Sequence, residues 1–145
     1  MATTHDPYAR KLFDKDPYFS STPVVGRLVV VLDGHIPERG LILIKPPSRA
    51  VQKHEVHELI LTDEDAVPGS TVQRVWYTGF FEVLEGGMAI VGSSVTVGGR
   101  EIGVLAGFDE THLPNHLNIV IKTASPATGA DMHLALGAAV TFAGR

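Results

Sequence analysis

The sequence lacks several features that would each assign the protein to a class. It contains no cysteine, which excludes disulfide bonds and thiolate metal ligands. No apolar run approaches the roughly 18 residues that a membrane-spanning helix needs, and the opening segment MATTHDPYARKLFDKDPYFS has no apolar core of the kind found in signal peptides. No block of Lys or Arg stands out and the formal net charge is −4, so the main electrostatic support for nucleic-acid binding is missing. We therefore expect a cytoplasmic protein that binds neither nucleic acid nor membrane.

Motifs of common catalytic folds are also missing. The glycine-rich segments GGMAIVG and VGGREIG lack the lysine and the strand–helix setting of a phosphate-binding loop. No Gly-x-Ser-x-Gly nucleophile elbow occurs. What remains is the composition of an ordinary globular chain, with 145 residues of which 44% are hydrophobic and 19% charged. That length predicts one domain with a core of its own.

The chain from Pro23 onward alternates short apolar runs with turn signals. The Val-rich run VVGRLVVVLDG ends in a turn dipeptide, and Gly98-Gly99 is a good two-residue hairpin turn. The segment from Ser48 to Leu61 has neither a clean helical period nor a clean strand period, and we assign it to a strand. The pattern predicts an all-β fold, a small closed or partly open β-barrel of about six to eight strands over residues 23–145.

Residues 1–22 form a polar N-terminal arm in which Asp-Pro-Tyr occurs twice. Asp caps helices and Pro is tolerated at the first helical position, so each copy can begin a short helical turn. The arm is either a frayed terminus or a segment that packs on a neighbouring subunit. The second alternative predicts a homodimer or higher homo-oligomer, because aromatic residues are unusual in a free tail. The aromatic residues are Tyr8, Phe13, Tyr18 and Phe19.

Four of the seven histidines lie in two clusters, HEVHE at 54–58 and HLPNH at 112–116. Histidine supplies metal ligands and proton transfer near neutral pH. Residues three apart in a strand point to opposite faces, so His54 and His57 cannot share one metal ion in a regular strand. Residues four apart lie about 13 Å from each other in a strand, so the second pair meets only if its loop folds back.

The segment GFDETHLPNHLN, residues 107–118, is much longer than the about two to five residues of a simple turn. We predict that it forms one wall of a polar pocket, because loops on a rigid sheet can hold several polar side chains at converging angles. His57 is the preferred histidine to face this loop, since Leu59 and Leu61 share its strand face and place it at the edge of an apolar interior. The competing interpretation is that the loop's Asn and His side chains only satisfy backbone groups of a tight loop.

The site prediction combines one histidine from each cluster with an acidic residue of the loop. The candidate catalytic residues are His57, His112, His116 and Asp109, and the candidate binding residues are His54, Glu110, Asn115, Asn118 and Arg74. A divalent metal is a candidate cofactor, with His57, His112 and His116 as its candidate ligands. Paired carboxylates for acid–base chemistry are a further option, drawn from Glu55, Glu58, Asp109 and Glu110.

Two family resemblances extend this reading. The stretch IGVLAGFDETHLPNHLNIVI resembles small all-β bacterial domains of unknown function, a likeness that assigns no activity. From Ile102 to Phe142, the order of a glycine-led strand, GFDE, a proline-containing loop and an apolar strand is similar to the glucitol/sorbitol-specific IIA component of the sugar phosphotransferase system. This second resemblance places HEVHEL near that family's phosphorylated histidine and implies that His57 or His54 accepts a phosphoryl group.

Three functions are consistent with these observations. The first is a small-molecule-binding β-barrel, an enzyme if its histidines perform acid–base or metal chemistry at the 107–118 loop. The second is a non-enzymatic binding or assembly protein in which that loop and the aromatic arm make subunit contacts. The third is a histidine phosphocarrier. The expected partner is a small molecule, whose identity the sequence leaves open.

Overall fold

Every regular element in the described part of the chain is a β-strand. The structure is a computed structural model that describes residues 22–144, and these residues contain twelve strands and no helix. Accordingly, no helix in this range is long and apolar enough to cross a membrane. The predicted arm contacts of Tyr8, Phe13, Tyr18 and Phe19 fall in residues 1–21, outside the described range.

In chain order the strands are β1 (Val24–Val31), β2 (His35–Ile36), β3 (Leu41–Ile42), β4 (Ser48–Val51), β5 (Val56–Thr62), β6 (Thr71–Val72), β7 (Val75–Glu85), β8 (Gly87–Ile90), β9 (Ser94–Val97), β10 (Arg100–Asp109), β11 (Asn118–Lys122) and β12 (Ala139–Phe142).

Seven of these strands close into a ring. Their order is β1, β12, β9, β10, β11, β5 and β7, and the ring closes because β1 pairs with both β12 and β7. The short strand β2 adds to β7, while β3 pairs with β6 and β4 pairs with β8 in separate two-stranded sheets. The prediction of an all-β fold with a closed sheet of six to eight strands is confirmed. The predicted hairpin at Gly98-Gly99 is also found, with positive φ at both glycines between β9 and β10.

Two apolar clusters lie on opposite sides of the ring wall. The larger cluster fills the ring interior and includes Leu59, Phe81, Phe108 and Phe142. The smaller cluster lies outside the ring, where β3, β6 and their flanking segments cover β5, β10 and β11. Because successive strand residues point to opposite faces, β5 sends His57 and Leu59 inward and Glu58 and Ile60 outward. The carboxyl group of Glu58 is thereby buried on the outer face of a central strand.

The segment from Ser48 to Leu61 is extended, as predicted, but it is not a single strand. The segment forms two strands, β4 and β5, which belong to different sheets and are separated by a turn at residues 52–55. Glu55 closes the turn, donating its backbone N–H to the Gln52 carbonyl at 3.1 Å and accepting the Gln52 N–H on Oε1 at 2.9 Å. His54 adopts a left-handed φ of 79° within it. No glycine or proline marks this turn, which is why the sequence pattern did not reveal it.

Candidate functional site

The loop between β10 and β11 folds back on itself. Its two ends, Asp109 and Asn118, are directly paired across the two strands. Within the loop, Leu113 N–H donates to the Glu110 carbonyl at 3.1 Å and Asn115 N–H donates to the His112 carbonyl at 2.9 Å. These turns bring the imidazole rings of His112 and His116 to a centroid distance of 5.0 Å. The folding back that the four-residue spacing required is therefore present.

Asp109 anchors the loop and does not point at a ligand space. Its carboxylate accepts the backbone N–H of Ile42 at 2.9 Å, the backbone N–H of Thr111 at 2.9 Å and the side-chain amide of Asn118 at 3.1 Å. Burial alone would raise the pKa of Asp109, but these hydrogen bonds outweigh it and hold the pKa below its ordinary value. Its oxygens are engaged in holding the strand ends together. Its predicted catalytic role gains no support from this geometry.

His57 also supports the loop through its ring nitrogens. Nδ1 accepts the backbone N–H of Leu117 at 3.0 Å, and Nε2 lies 3.1 Å from Oε1 of Glu55. Because Nδ1 accepts, the proton of the neutral ring sits on Nε2 and is donated to Glu55. The imidazole of His57 packs edge-on against Phe81 inside the closed sheet, and the residue is 6% exposed. Both nitrogens are occupied, so a metal ion or a phosphoryl group could bond to His57 only by displacing one of these contacts.

The outward neighbour of His57, Glu58, is the residue that meets the loop histidines. Oε1 of Glu58 lies 3.4 Å from Nε2 of His116, and the two side chains are 9% and 13% exposed. That nitrogen is buried and has no hydrogen-bond partner of good geometry, so the contact is close without being a formed hydrogen bond. The ring of His116 also packs edge-on against Phe80, with a centroid distance of 5.1 Å.

The environment shifts the pKa values of this pair in opposite directions. Burial raises the pKa of Glu58 to about 7, with the positive charge of Arg39 opposing the rise. Burial lowers the pKa of His116, the neighbouring imidazoles of His112 and His57 lower it further, and the side chain of Asn118 opposes this fall. Burial therefore disfavours the charged form of both groups, and Glu58 changes protonation near neutral pH.

Arg39 and Tyr77 complete the rim of this polar cluster. Arg39 donates from Nε to the Tyr77 hydroxyl at 3.2 Å, and its Nη2 lies 3.4 Å from Nε2 of His112. The cluster therefore consists of Glu58, His116, His112, Arg39 and Tyr77, and we call it the outer polar cluster. Sequence reasoning missed Arg39 and Tyr77, because neither lies in a motif and Arg39 reaches the loop only through the segment that covers β5.

The remaining predicted residues are dispersed. The exposed His54 has Nδ1 3.5 Å from Oε2 of Glu82. Glu110 lies 3.3 Å from Arg49 at the loop's start. Arg74 pairs with Asp63 at 2.9 Å and Glu64 at 3.7 Å beside β6, and neither partner belongs to the outer polar cluster. Asn118 is fully buried, and its Oδ1 has no hydrogen-bond partner.

A cleft of about 380 Å³ lies on the other side of the same loop. It separates the turn at 52–55 from the loop segment 113–117, so it adjoins both histidine-containing segments that the sequence singled out. Its polar lining comes from Arg49, His54, Glu55, His57 and Asn115. Asn115 therefore belongs to this cleft, while His112 and His116 belong to the outer polar cluster.

The metal prediction finds no geometric counterpart in the described residues. Between residues 22 and 144, no three His, Asp or Glu side chains converge in a way that could hold an ion. His57, one of the three candidate ligands, uses both ring nitrogens within the protein, as described above. His112 and His116 do lie together, and a carboxylate oxygen of Glu58 lies 3.4 Å from Nε2 of His116.

Comparison with known proteins gives a family and no activity. A family described as a family of unknown function (DUF6917) matches residues 18–143, and the chain belongs to this family. No curated protein and no solved structure matches the chain. The resemblance to an all-β family of unknown function is thus confirmed, whereas the likeness to the glucitol/sorbitol-specific IIA component is not.

Proposed function

We propose that this protein binds a small molecule at the outer polar cluster and that Glu58 and His116 exchange a proton with it. General acid–base chemistry needs groups that gain and lose protons near the working pH. A carboxyl group whose pKa is about 7 meets that requirement, and ordinary exposed glutamates do not. A neutral imidazole 3.4 Å away supplies the matching acceptor.

The observation that carries the proposal is the contact between Glu58 and the unpartnered Nε2 of His116. Two buried titratable groups in contact, with no hydrogen bond formed between them, resemble the arrangements found where protons are transferred. A purely structural pair would be expected to form the hydrogen bond, because a buried polar atom without a partner costs stability. A ligand that bridges the two groups would complete their hydrogen bonds.

The rim of the cluster indicates where a ligand would enter. His112 is exposed and Arg39 is half-buried, so both can move to admit a molecule to the nearly buried pair. The guanidinium of Arg39 would favour a ligand with an acceptor or a negative charge on its outward end. Phe80 offers an apolar surface against the ring of His116.

The proposal is tested by a nuclear magnetic resonance screen of a library of small polar molecules against the ¹⁵N-labelled full chain. We expect hits that shift the backbone signals of Glu58, His112 and His116 together. Glu58→Gln and His116→Gln should each weaken those hits by about tenfold, the loss of one good polar contact. The matched control is His54→Gln, which changes an exposed histidine outside the cluster and should leave affinity unchanged.

Two results would overturn the proposal. One is a screen whose reproducible hits all fall elsewhere on the protein. The other is a set of hits at the cluster that bind Glu58→Gln and the unmodified chain equally well, since the carboxyl group would then have no part in recognition.

Homo-oligomer formation and a cytoplasmic, bacterial setting remain parts of this proposal. Assembly is supported by the four aromatic residues of the arm and by well-exposed apolar side chains of the described surface, such as Ile42 at 66% and Leu136 at 68%. Light scattering of the full chain is the measurement. Dimers or larger species at micromolar concentration support assembly, and a monomer contradicts it.

A further inference from the structure

The cleft between the turn at 52–55 and the loop segment 113–117 has the dimensions of a ligand site. Its volume of about 380 Å³ falls in the range of small-molecule pockets, roughly 300–1,000 Å³. Its walls are supplied by two separate connections, which themselves are held together by the His57 contacts to Leu117 and Glu55. Hydrogen bonds of His57 therefore join the two sides of the cleft, which is distinct from the outer polar cluster on the opposite face of β5.

Arg49 brings a positive charge to this cleft that the protein satisfies poorly. Its Nε is buried without a hydrogen-bond partner, and its Nη2 meets Oε2 of Glu110 at 3.3 Å. Both side chains of that ion pair are about a third exposed, at 34% and 38%. Ion pairs of this kind contribute about 0–1 kcal/mol. A ligand carboxylate can therefore compete for Arg49 at little cost.

Glu55 brings a negative charge to the same cleft. Its Oε1 accepts the Gln52 N–H at 2.9 Å and contacts His57 Nε2 at 3.1 Å. Both of these contacts use Oε1, and Oε2 of Glu55 accepts no hydrogen bond from the described residues. The Glu55 side chain is 42% exposed. Although slight burial would raise the pKa of Glu55, the hydrogen bonds and the charge of Arg49 lower it overall, so the group is ionised at neutral pH. Oε2 is available to accept from a cationic ligand group.

The rest of the lining is mixed. Ala50, Val56, Leu113, Pro114 and Leu117 contribute apolar surface, whereas His54, His57 and the side-chain amide of Asn115 contribute polar atoms. A ligand that matches this lining carries a negative group, a positive group and an apolar body. We propose that the cleft binds a small zwitterion of the amino-acid class with an apolar side chain, its carboxylate on Arg49 and its ammonium on Glu55.

Calorimetric titration of the full chain with matched probes tests this assignment. Leucine carries both charges and an apolar body, whereas isocaproate lacks the ammonium and isoamylamine lacks the carboxylate. We expect saturable binding of leucine or of another apolar amino acid among valine, methionine and phenylalanine. For whichever of these binds, the analogues lacking either charge should bind at least about tenfold more weakly, because each leaves one charged group of the cleft unpaired.

Variants locate the site. Arg49→Gln and Glu55→Gln should each weaken binding by about tenfold or more, and glutamine at 55 keeps an acceptor for Gln52 and His57. Glu110→Gln should strengthen it, because that change frees Arg49 from its exposed partner. Arg74→Gln is the control, since it removes the same charge from an exposed pair with Asp63 outside the cleft.

Three results would overturn the inference. The first is no saturable binding of any of the four amino acids up to about 10 mM, a concentration that detects even weak sites. The second is equal affinity for the amino acid and its carboxylate-only analogue, which would indicate a simple anion site. The third is unchanged affinity in Arg49→Gln. None of these results bears on the outer polar cluster, which is tested separately through Glu58 and His116.

Discussion

His57 Nδ1 accepts the backbone N–H of Leu117 at 3.0 Å, joining residues 60 positions apart in the chain. This bond attaches the end of the β10–β11 loop to the start of β5, beside the parallel pairing of Asn118 with Glu58. The same contact fixes which ring nitrogen carries the proton, because an accepting Nδ1 leaves the proton on Nε2. The loop that carries His112 and His116 is thus seated by a third histidine that faces the other side of the strand.

His57→Phe should destabilise the protein by about 1–3 kcal/mol, because the buried N–H of Leu117 loses its acceptor while an aromatic ring remains at the position. Urea unfolding measures the change. The matched control is His35→Phe, where an exposed histidine stacks on Trp76 with a centroid distance of 5.2 Å and the expected change is within about 0.5 kcal/mol. Equal stability of the two variants would show that the Leu117 contact contributes nothing.

Two buried threonines should respond oppositely to the same substitution. Thr62 and Thr78 are both 0% exposed. The hydroxyl of Thr62 donates to the Arg74 carbonyl at 2.7 Å and accepts the Glu64 N–H at 3.1 Å, whereas the hydroxyl of Thr78 has no partner. Thr62→Val should therefore cost about 1–3 kcal/mol, and Thr78→Val should be neutral or stabilising. Thermal unfolding of the pair measures this, and a larger loss at Thr78 would contradict the assigned contacts.

Asp109→Asn should loosen the loop. The carboxylate accepts three hydrogen bonds, and an amide in either orientation presents its NH₂ group to at least one donor, at an expected cost of about 1–3 kcal/mol. The pKa of Asp109 is lower in the folded protein than in the unfolded chain. Its contribution to stability is therefore present at pH values above the pKa of the unfolded chain, and it is lost as the pH falls through the pKa of the folded protein. The variant should lack that acid-dependent loss. Unfolding curves for Asp109→Asn and for the exposed control Asp131→Asn, measured from neutral to acid pH, should differ in both respects.

Much of the fold follows from the sequence, because most local signals agree with the final structure. The apolar runs became strands, and Gly98-Gly99 became a hairpin turn. The turn at 52–55 was missed because it is closed by the side chain of Glu55, a contact that strand periodicity does not encode.

The candidate site was harder to predict, because it depends on which face of β5 each residue occupies. The loop was identified from its length and its histidines. Leu59 and Leu61 share the strand face of His57 and correctly indicated a partly apolar setting. The same shared face points into the closed sheet, so His57 lies on the side of β5 opposite to His112 and His116. Glu58 is the residue on the outer face, and its partner Arg39 comes from a covering segment that no local pattern connects to the loop.

Glu58→Gln should change how stability depends on pH. The pKa of Glu58 is raised from 4.5 to about 7 in the folded protein. The folded state therefore binds a proton at Glu58 more tightly than the unfolded state does. As the pH rises from 4.5 to about 7, Glu58 makes the free energy of unfolding fall. Glutamine stays neutral, so the variant should gain stability relative to the unmodified chain across that window, by up to about 3 kcal/mol. The lowered pKa of His116 acts in the opposite sense. Because Glu58 and His116 are in contact, the difference between the two proteins reports on the pair.

That experiment needs unfolding free energies of both proteins at intervals from about pH 4 to about pH 8. A difference that stays constant over the range would contradict a buried carboxyl group that titrates near neutrality. A difference that grows with falling pH would contradict it more strongly, because that sign belongs to a carboxylate stabilised in its charged form.

The central claim, that Glu58 holds a proton near neutral pH beside His116, is tested most directly by the ¹³C chemical shift of the Glu58 side-chain carboxyl. The full chain would be labelled at glutamate Cδ, and the Glu58 signal assigned by its absence in Glu58→Gln. We predict a titration midpoint near 7, accompanied over the same pH range by a change in the ring-nitrogen signals of His116, because the two groups are in contact at 3.4 Å. A midpoint near 4.5, the ordinary value for glutamate, with no matching change at His116 would contradict the account.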